Sequence, residues 1–77
     1  MHVLILGAAG MIGRKLTARL VADGNVGGCA VERLTLADVV PPLQPAGAAG
    51  QVVLVATDLA APGEAERLVE ARPDLIF

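Results

Sequence analysis

The chain has 77 residues, about half of an ordinary domain, so these residues do not make up a multidomain enzyme. Apolar residues are 55 % and charged residues 18 %, a composition that packs, and a net charge of −2 gives no electrostatic footing for nucleic acid or an anionic membrane. Phe77 is the only aromatic residue, Cys29 the only cysteine and His2 the only histidine, which excludes base-stacking platforms, an internal disulfide and a Cys/His zinc site within one chain.

Val3-Leu4-Ile5-Leu6 is a continuous apolar run that stops at Gly7, the pattern of a strand buried on both faces of a parallel sheet. The apolar and glycine stretch from Val3 to Gly13 is too short for a bilayer, which takes about 20 residues, and lacks a signal peptide's basic flank. A cytoplasmic location is therefore expected, and His2 is expected to be exposed. Gly7-Ala8-Ala9-Gly10 is a turn of small residues. Met11, Ile12, Leu16, Leu20 and Val21 then recur at helical spacing, with Arg14, Lys15 and Arg19 between them, until Asp23-Gly24-Asn25 ends the helix.

Residues 25–33 read as a connection with Gly27-Gly28 in its middle, where Cys29 has no base near it in sequence and is expected to be inert. Leu34 to Ala37 is a second strand with Asp38 at its end, and Val39 and Val40 are expected to extend it. Pro41-Pro42 forbids further pairing, and the uncharged Pro/Gly/Ala loop 41–51 is too short for a full helix. Val52 to Ala56 is the third strand, closed by Thr57-Asp58. A helix is expected from about Glu64 to Ala71, with Glu64 and Glu66 in its first turn and Arg72 near its end to match the dipole. Pro73 stops it, and Asp74 to Phe77 begins a fourth strand.

The segment Gly7-x-x-Gly10-x-x-Gly13 lies after a strand and opens a helix. A first glycine there lets the chain turn out of the strand, a second leaves room for a pyrophosphate, and a third lets the helix pack close to the sheet. The helix N-terminus offers N–H groups and a partial positive charge to phosphates. Glycine is also the default residue of any tight turn, so the motif alone fits a structural turn too. Asp38, at the end of the next strand, stands where a carboxylate accepts bonds from ribose hydroxyls, or is simply a solvated strand-end residue. A carboxylate repels a 2′-phosphate and Val39 is not basic, so NAD is expected over NADP. Asp58 reads either as a contact to the adenine amino group, with Leu59 against the ring, or as a turn cap.

These residues resemble the short-chain dehydrogenase/reductase superfamily and, more closely, its extended branch, the NAD-dependent epimerase/dehydratase family. The resemblance rests on Gly7-Ala8-Ala9-Gly10-Met11-Ile12-Gly13, Asp38, Asp58-Leu59 and Pro73-Asp74-Leu75-Ile76-Phe77. Leu6 departs from the Thr commonest before the first glycine. The run Arg33 to Val40, with Arg14-Lys15-Leu16, further resembles D-erythronate dehydrogenases, which act on four-carbon sugar acids.

The resemblance implies an α/β fold: a partial Rossmann fold with a parallel sheet of strand order 3-2-1-4, ending in the fourth strand. Residues 1–77 would form the N-terminal half of a dinucleotide-binding domain. Gly7, Gly10, Met11 and Ile12 would line the pyrophosphate of NAD, and Gly13 would pack the helix. Asp38 would hold the adenosine ribose, and Asp58 and Leu59 would flank the adenine. The partner would be a sugar or sugar-acid substrate. The family's catalysis uses a Tyr-x-x-x-Lys pair, but the chain has no Tyr and Lys15 is its only lysine, so no catalytic residue is assigned. The expectation is a piece of a longer enzyme, inactive alone and prone to self-association through the bare edge of the fourth strand. A non-catalytic dinucleotide-sensing module and an inert structural fragment are the alternatives.

Overall fold

The computed structural model describes all 77 residues. The elements are β1 (His2–Leu6), α1 (Met11–Asp23), β2 (Asn25–Val26), β3 (Cys29–Ala30), β4 (Arg33–Asp38), β5 (Gln51–Ala56), α2 (Glu64–Glu70) and β6 (Leu75–Ile76). The main sheet is parallel, in the order β5-β4-β1-β6. That is the expected 3-2-1-4 order once the short β2 and β3 are set aside, and the architecture is that of a partial Rossmann-like fold. Neither helix is long and apolar enough to cross a membrane.

Alternation along the strands divides the core between two faces. Val3 and Ile5 of β1, with Leu34 and Leu36 of β4, pack with Ala8 and with Leu20 of α1. Leu4 and Ala37 point the other way and meet Leu68 of α2. A strand covered on both sides is apolar throughout, which is why Val3, Leu4 and Ile5 are all buried.

α1 begins and ends as the glycines predict. Gly24 takes the left-handed conformation (φ 71°) and its N–H donates to the Leu20 carbonyl at 2.8 Å. The packed stripe differs from the expected one: it is Gly13, Thr17 and Leu20, with Leu16 and Val21 half-buried beside it. Met11 and Ile12 are 74 % and 82 % exposed, although their spacing matched the apolar face. They occupy the first turn of the helix, next to the turn that follows β1, and the Gly13 approach turns them away from the core.

Three further differences follow from local geometry. Residues 25–30 form an antiparallel hairpin rather than a plain connection, with Gly27 (φ 56°) and Gly28 (φ 88°) supplying the two positive φ values of its turn. Val39 and Val40 lie beyond the strand and are exposed. The second helix ends at Glu70 with Arg67 as its last-turn cation, while Arg72 falls outside it at φ 53°. Pro73 disfavours a helical conformation at the residue before it, which takes Arg72 out of the helix.

The 39–50 crossover is irregular, as its prolines dictate. Its last residue, Gly50, crosses the chain so closely that a Cβ there would stand 2.7 Å from the Val31 carbonyl oxygen.

Candidate functional site

Register places the candidate residues on one edge. Leu6 pairs with Ala37 and Asp38 with Ala56, so Gly7, Asp38 and Thr57-Asp58 leave three adjacent strands at their carboxyl ends. In open parallel sheets that edge is where ligands bind.

The three glycines stand in three different surroundings. Gly7 has φ 71°, a region costly for other residues. A Cβ on Gly13 would stand 2.8 Å from the Ala8 Cα and closer still to the Gly7 carbonyl oxygen, so only glycine lets the helix start against the turn. Gly10 has neither need: its backbone is extended (φ −75°, ψ 171°), and a Cβ would meet only the Gly7 oxygen at 3.4 Å, near ordinary contact. It is exposed and no side chain caps the helix that it opens. The first N–H groups of a helix have no partner within it. Packing of the protein does not account for glycine at position 10.

Asp38 is half-buried and bound to the turn itself. Its Oδ2 accepts the Ala9 N–H at 2.8 Å and its Oδ1 accepts the Val39 N–H at 2.7 Å. A carboxylate has about four acceptor positions, so both oxygens keep capacity for hydroxyl donors. Nothing in the sequence marked the Ala9 contact, because a backbone N–H of alanine leaves no side-chain signature.

Asp58 and Leu59 make no hydrogen bond to the glycine turn. Asp58 is exposed; its Oδ1 accepts the Ala60 N–H and its carbonyl the Ala61 N–H, both at 2.9 Å, a turn that closes on itself. Leu59 is half-buried against the cluster of Leu4, Ala37 and Leu68. Beside them, Glu64 Oε2 accepts the Thr57 hydroxyl at 2.7 Å and the Arg67 guanidinium at 2.6 Å, tying the end of β5 to α2. The Thr57 hydroxyl, and then Arg67, hold the Glu64 carboxyl below its usual range. The Glu64/Arg67 spacing of opposite charges on one helix was a legible signal, but the Thr57 link was not.

An apolar cleft of about 700 Å³ lies on the opposite side of the glycine turn from Asp38. Leu6, Met11, Ile12 and Phe77 border it together with Gly7 and Gly10. A second cleft of about 780 Å³ runs between α1 and residues 40–47; Arg14 is its only charged lining residue. Lys15 is solvated, and Cys29 is exposed on β3 with no partner. His2 departs from expectation. It is half-buried, and its Nε2 lies 2.7 Å from the Thr35 hydroxyl.

The family model described as "NAD dependent epimerase/dehydratase family" matches residues 3–77. Among solved structures, a nucleoside-diphosphate-sugar epimerase from Agrobacterium tumefaciens is 65 % identical, with a TM-score of 0.96. The match covers 100 % of this chain and 22 % of that one, so the chain spans about a fifth of that relative's length. No curated protein matches the chain.

Proposed function

As the chain belongs to the NAD-dependent epimerase/dehydratase family, we propose that it holds the adenosine and pyrophosphate half of NAD for an oxidoreductase acting on a sugar or sugar acid. In this reading residues 1–77 are the N-terminal half of a dinucleotide-binding domain. The observation that carries it is Gly10, an exposed glycine that neither backbone conformation nor packing demands, at the uncapped start of a helix.

Gly7 turns the chain, the N–H groups at Met11 and Ile12 face the pyrophosphate, and Gly10, whose own N–H is taken by the Gly7 carbonyl, lines it by leaving it room. Gly13 keeps the helix start close to the strand end. Asp38 accepts the adenosine ribose hydroxyls with the lone pairs left free by Ala9 and Val39, and disfavours a 2′-phosphate. Asp58 and Leu59 border the adenine, Leu59 with the face not packed on the core. When bound, the nicotinamide of NAD supplies hydride transfer. No residue among these 77 is assigned to proton transfer, for the chain has no tyrosine.

The substrate is a sugar derivative. The Agrobacterium relative is named for nucleoside-diphosphate sugars, and the likeness of residues 33–40 to D-erythronate dehydrogenases favours a sugar acid. The free edge of β6 is assigned to self-association.

The test is titration of the full chain with NAD and NADP. Wild type should bind NAD more tightly than NADP. Gly10→Glu should weaken NAD at least roughly tenfold, through bulk and like charge at the pyrophosphate, with an unchanged circular dichroism spectrum. Equal binding by wild type and Gly10→Glu would remove the glycine turn from the site.

A further inference from the structure

We propose that Asp38 is a positioning residue for the glycine turn, holding the Ala9 N–H so that the turn is already shaped for pyrophosphate before any ribose arrives. The inference rests on the dinucleotide reading above and adds a second task to the residue assigned to the ribose. Three observations carry it.

Asp38 is the only side chain that hydrogen-bonds to residues 7–10. The other contacts that shape the turn are backbone bonds, Ala8 N–H to the Ala37 carbonyl and Gly10 N–H to the Gly7 carbonyl, both at 3.1 Å. Next, the carboxylate is aimed. Its Oδ1 is held by the adjacent Val39 N–H, which leaves Oδ2 directed at Ala9. Last, the carboxylate stands on a fixed base: Asp38 is the final residue of β4, paired with Ala56, and its carbonyl accepts the Thr57 N–H at 2.8 Å.

The turn itself is built to need such an anchor. Two glycines and two alanines have wide conformational freedom and no bulky side chain to hold them. A ligand that needs their N–H groups in one arrangement binds more weakly when the arrangement must first be selected. Removing the carboxylate therefore weakens every ligand of the turn, whether or not it has a ribose. Exchanging Asp38 for a neutral residue to admit NADP, with Val39→Arg, removes the anchor in the same step, so such a variant gains little NADP affinity.

The experiment closes a thermodynamic cycle on the full chain. NAD, and an NAD analogue lacking both hydroxyls of the adenosine ribose, are titrated into wild type, Asp38→Ala and Asp38→Asn. The loss from NAD to the analogue in wild type is the ribose share. Asp38→Ala should bind the analogue at least roughly tenfold more weakly than wild type does, a loss the ribose cannot cause. Removing a negative charge near a pyrophosphate would by itself strengthen binding, so the loss cannot come from charge either. Equal affinity of wild type and Asp38→Ala for the analogue would overturn the proposal.

Amide hydrogen exchange without ligand gives a second readout. Exchange at Ala9 should quicken in Asp38→Ala while that of Ile5 in β1 stays unchanged. Asp38→Asn, with one acceptor oxygen in place of two, should lie between. Unaltered exchange at Ala9 would also overturn the proposal. If wild type binds neither dinucleotide, the proposed function falls and the Ala9 exchange alone decides the positioning role. If both variants unfold, Asp38 supports the whole fold and the proposal falls.

Discussion

Gly10 and Gly13 belong to one motif, yet a methyl group on each meets different surroundings. On Gly13 it collides with backbone atoms of Gly7 and Ala8 that have nowhere to go. Gly13→Ala should therefore cost about 1–3 kcal/mol, read as a lowered urea midpoint. Gly10→Ala meets only near-ordinary contact, in a conformation that alanine adopts, and should be neutral or stabilising by about 0.4–1 kcal/mol through the unfolded chain, while weakening NAD. Melting and titration of the two variants separate folding from binding within one turn. His2 gives a prediction in pH. Burial, and then the nearby Arg33, lower its pKa from the ordinary 6.5, so the folded chain favours the neutral ring. The stability this contributes is full above pH 6.5 and is lost as the pH falls through the lowered folded value. Urea midpoints measured between about pH 5 and 8 should fall more steeply toward acid in wild type than in His2→Gln, which has no titrating ring.

Among the elements, the helices owe their places to different parts of the sequence. α1 carries its own start and stop, glycine at each end, and its limits were legible for that reason. Which face it buries was not legible, since Met11 and Ile12 fit the helical period but are exposed in its first turn. α2 has seven residues, too few for a stable isolated helix, and Leu68 is its only buried side chain. Leu68→Ala should therefore cost about 2–3 kcal/mol and release the helix, seen as loss of amide protection over residues 64–70. The Thr57 hydroxyl joins β5 to that helix through Glu64. Thr57→Val should lower the melting temperature and quicken exchange at Ala60 and Ala61, the backbone donors of the adjoining turn, while leaving β1 protected.

For the whole molecule the governing fact is a thin core. Thirteen of 77 residues are buried, although the radius of gyration, 11.6 Å, is that of a compact chain of this length, about 11.5 Å. β6 adds only two register pairs to β1, and Ile76 and Phe77 are each 49 % exposed beside its unpaired edge. The 77-residue chain should associate through that edge. Its weight-average mass in sedimentation should rise with concentration, and Ile76→Lys should abolish the rise; a monomer at all concentrations would remove the edge as a contact. By itself the sequence determined the two helices and the four strands of the main sheet, their parallel order and the glycine turn, though not the hairpin at residues 25–30, because apolar period, glycine and proline act on neighbours along the chain. Only the tertiary structure decided that Asp38 holds Ala9, that His2 meets Thr35, and that Leu59 packs on the core. The first two contacts join residues 29 and 33 positions apart, and Leu59 meets a cluster that includes Leu4, 55 positions away; they exist only once sheet register has brought distant segments side by side.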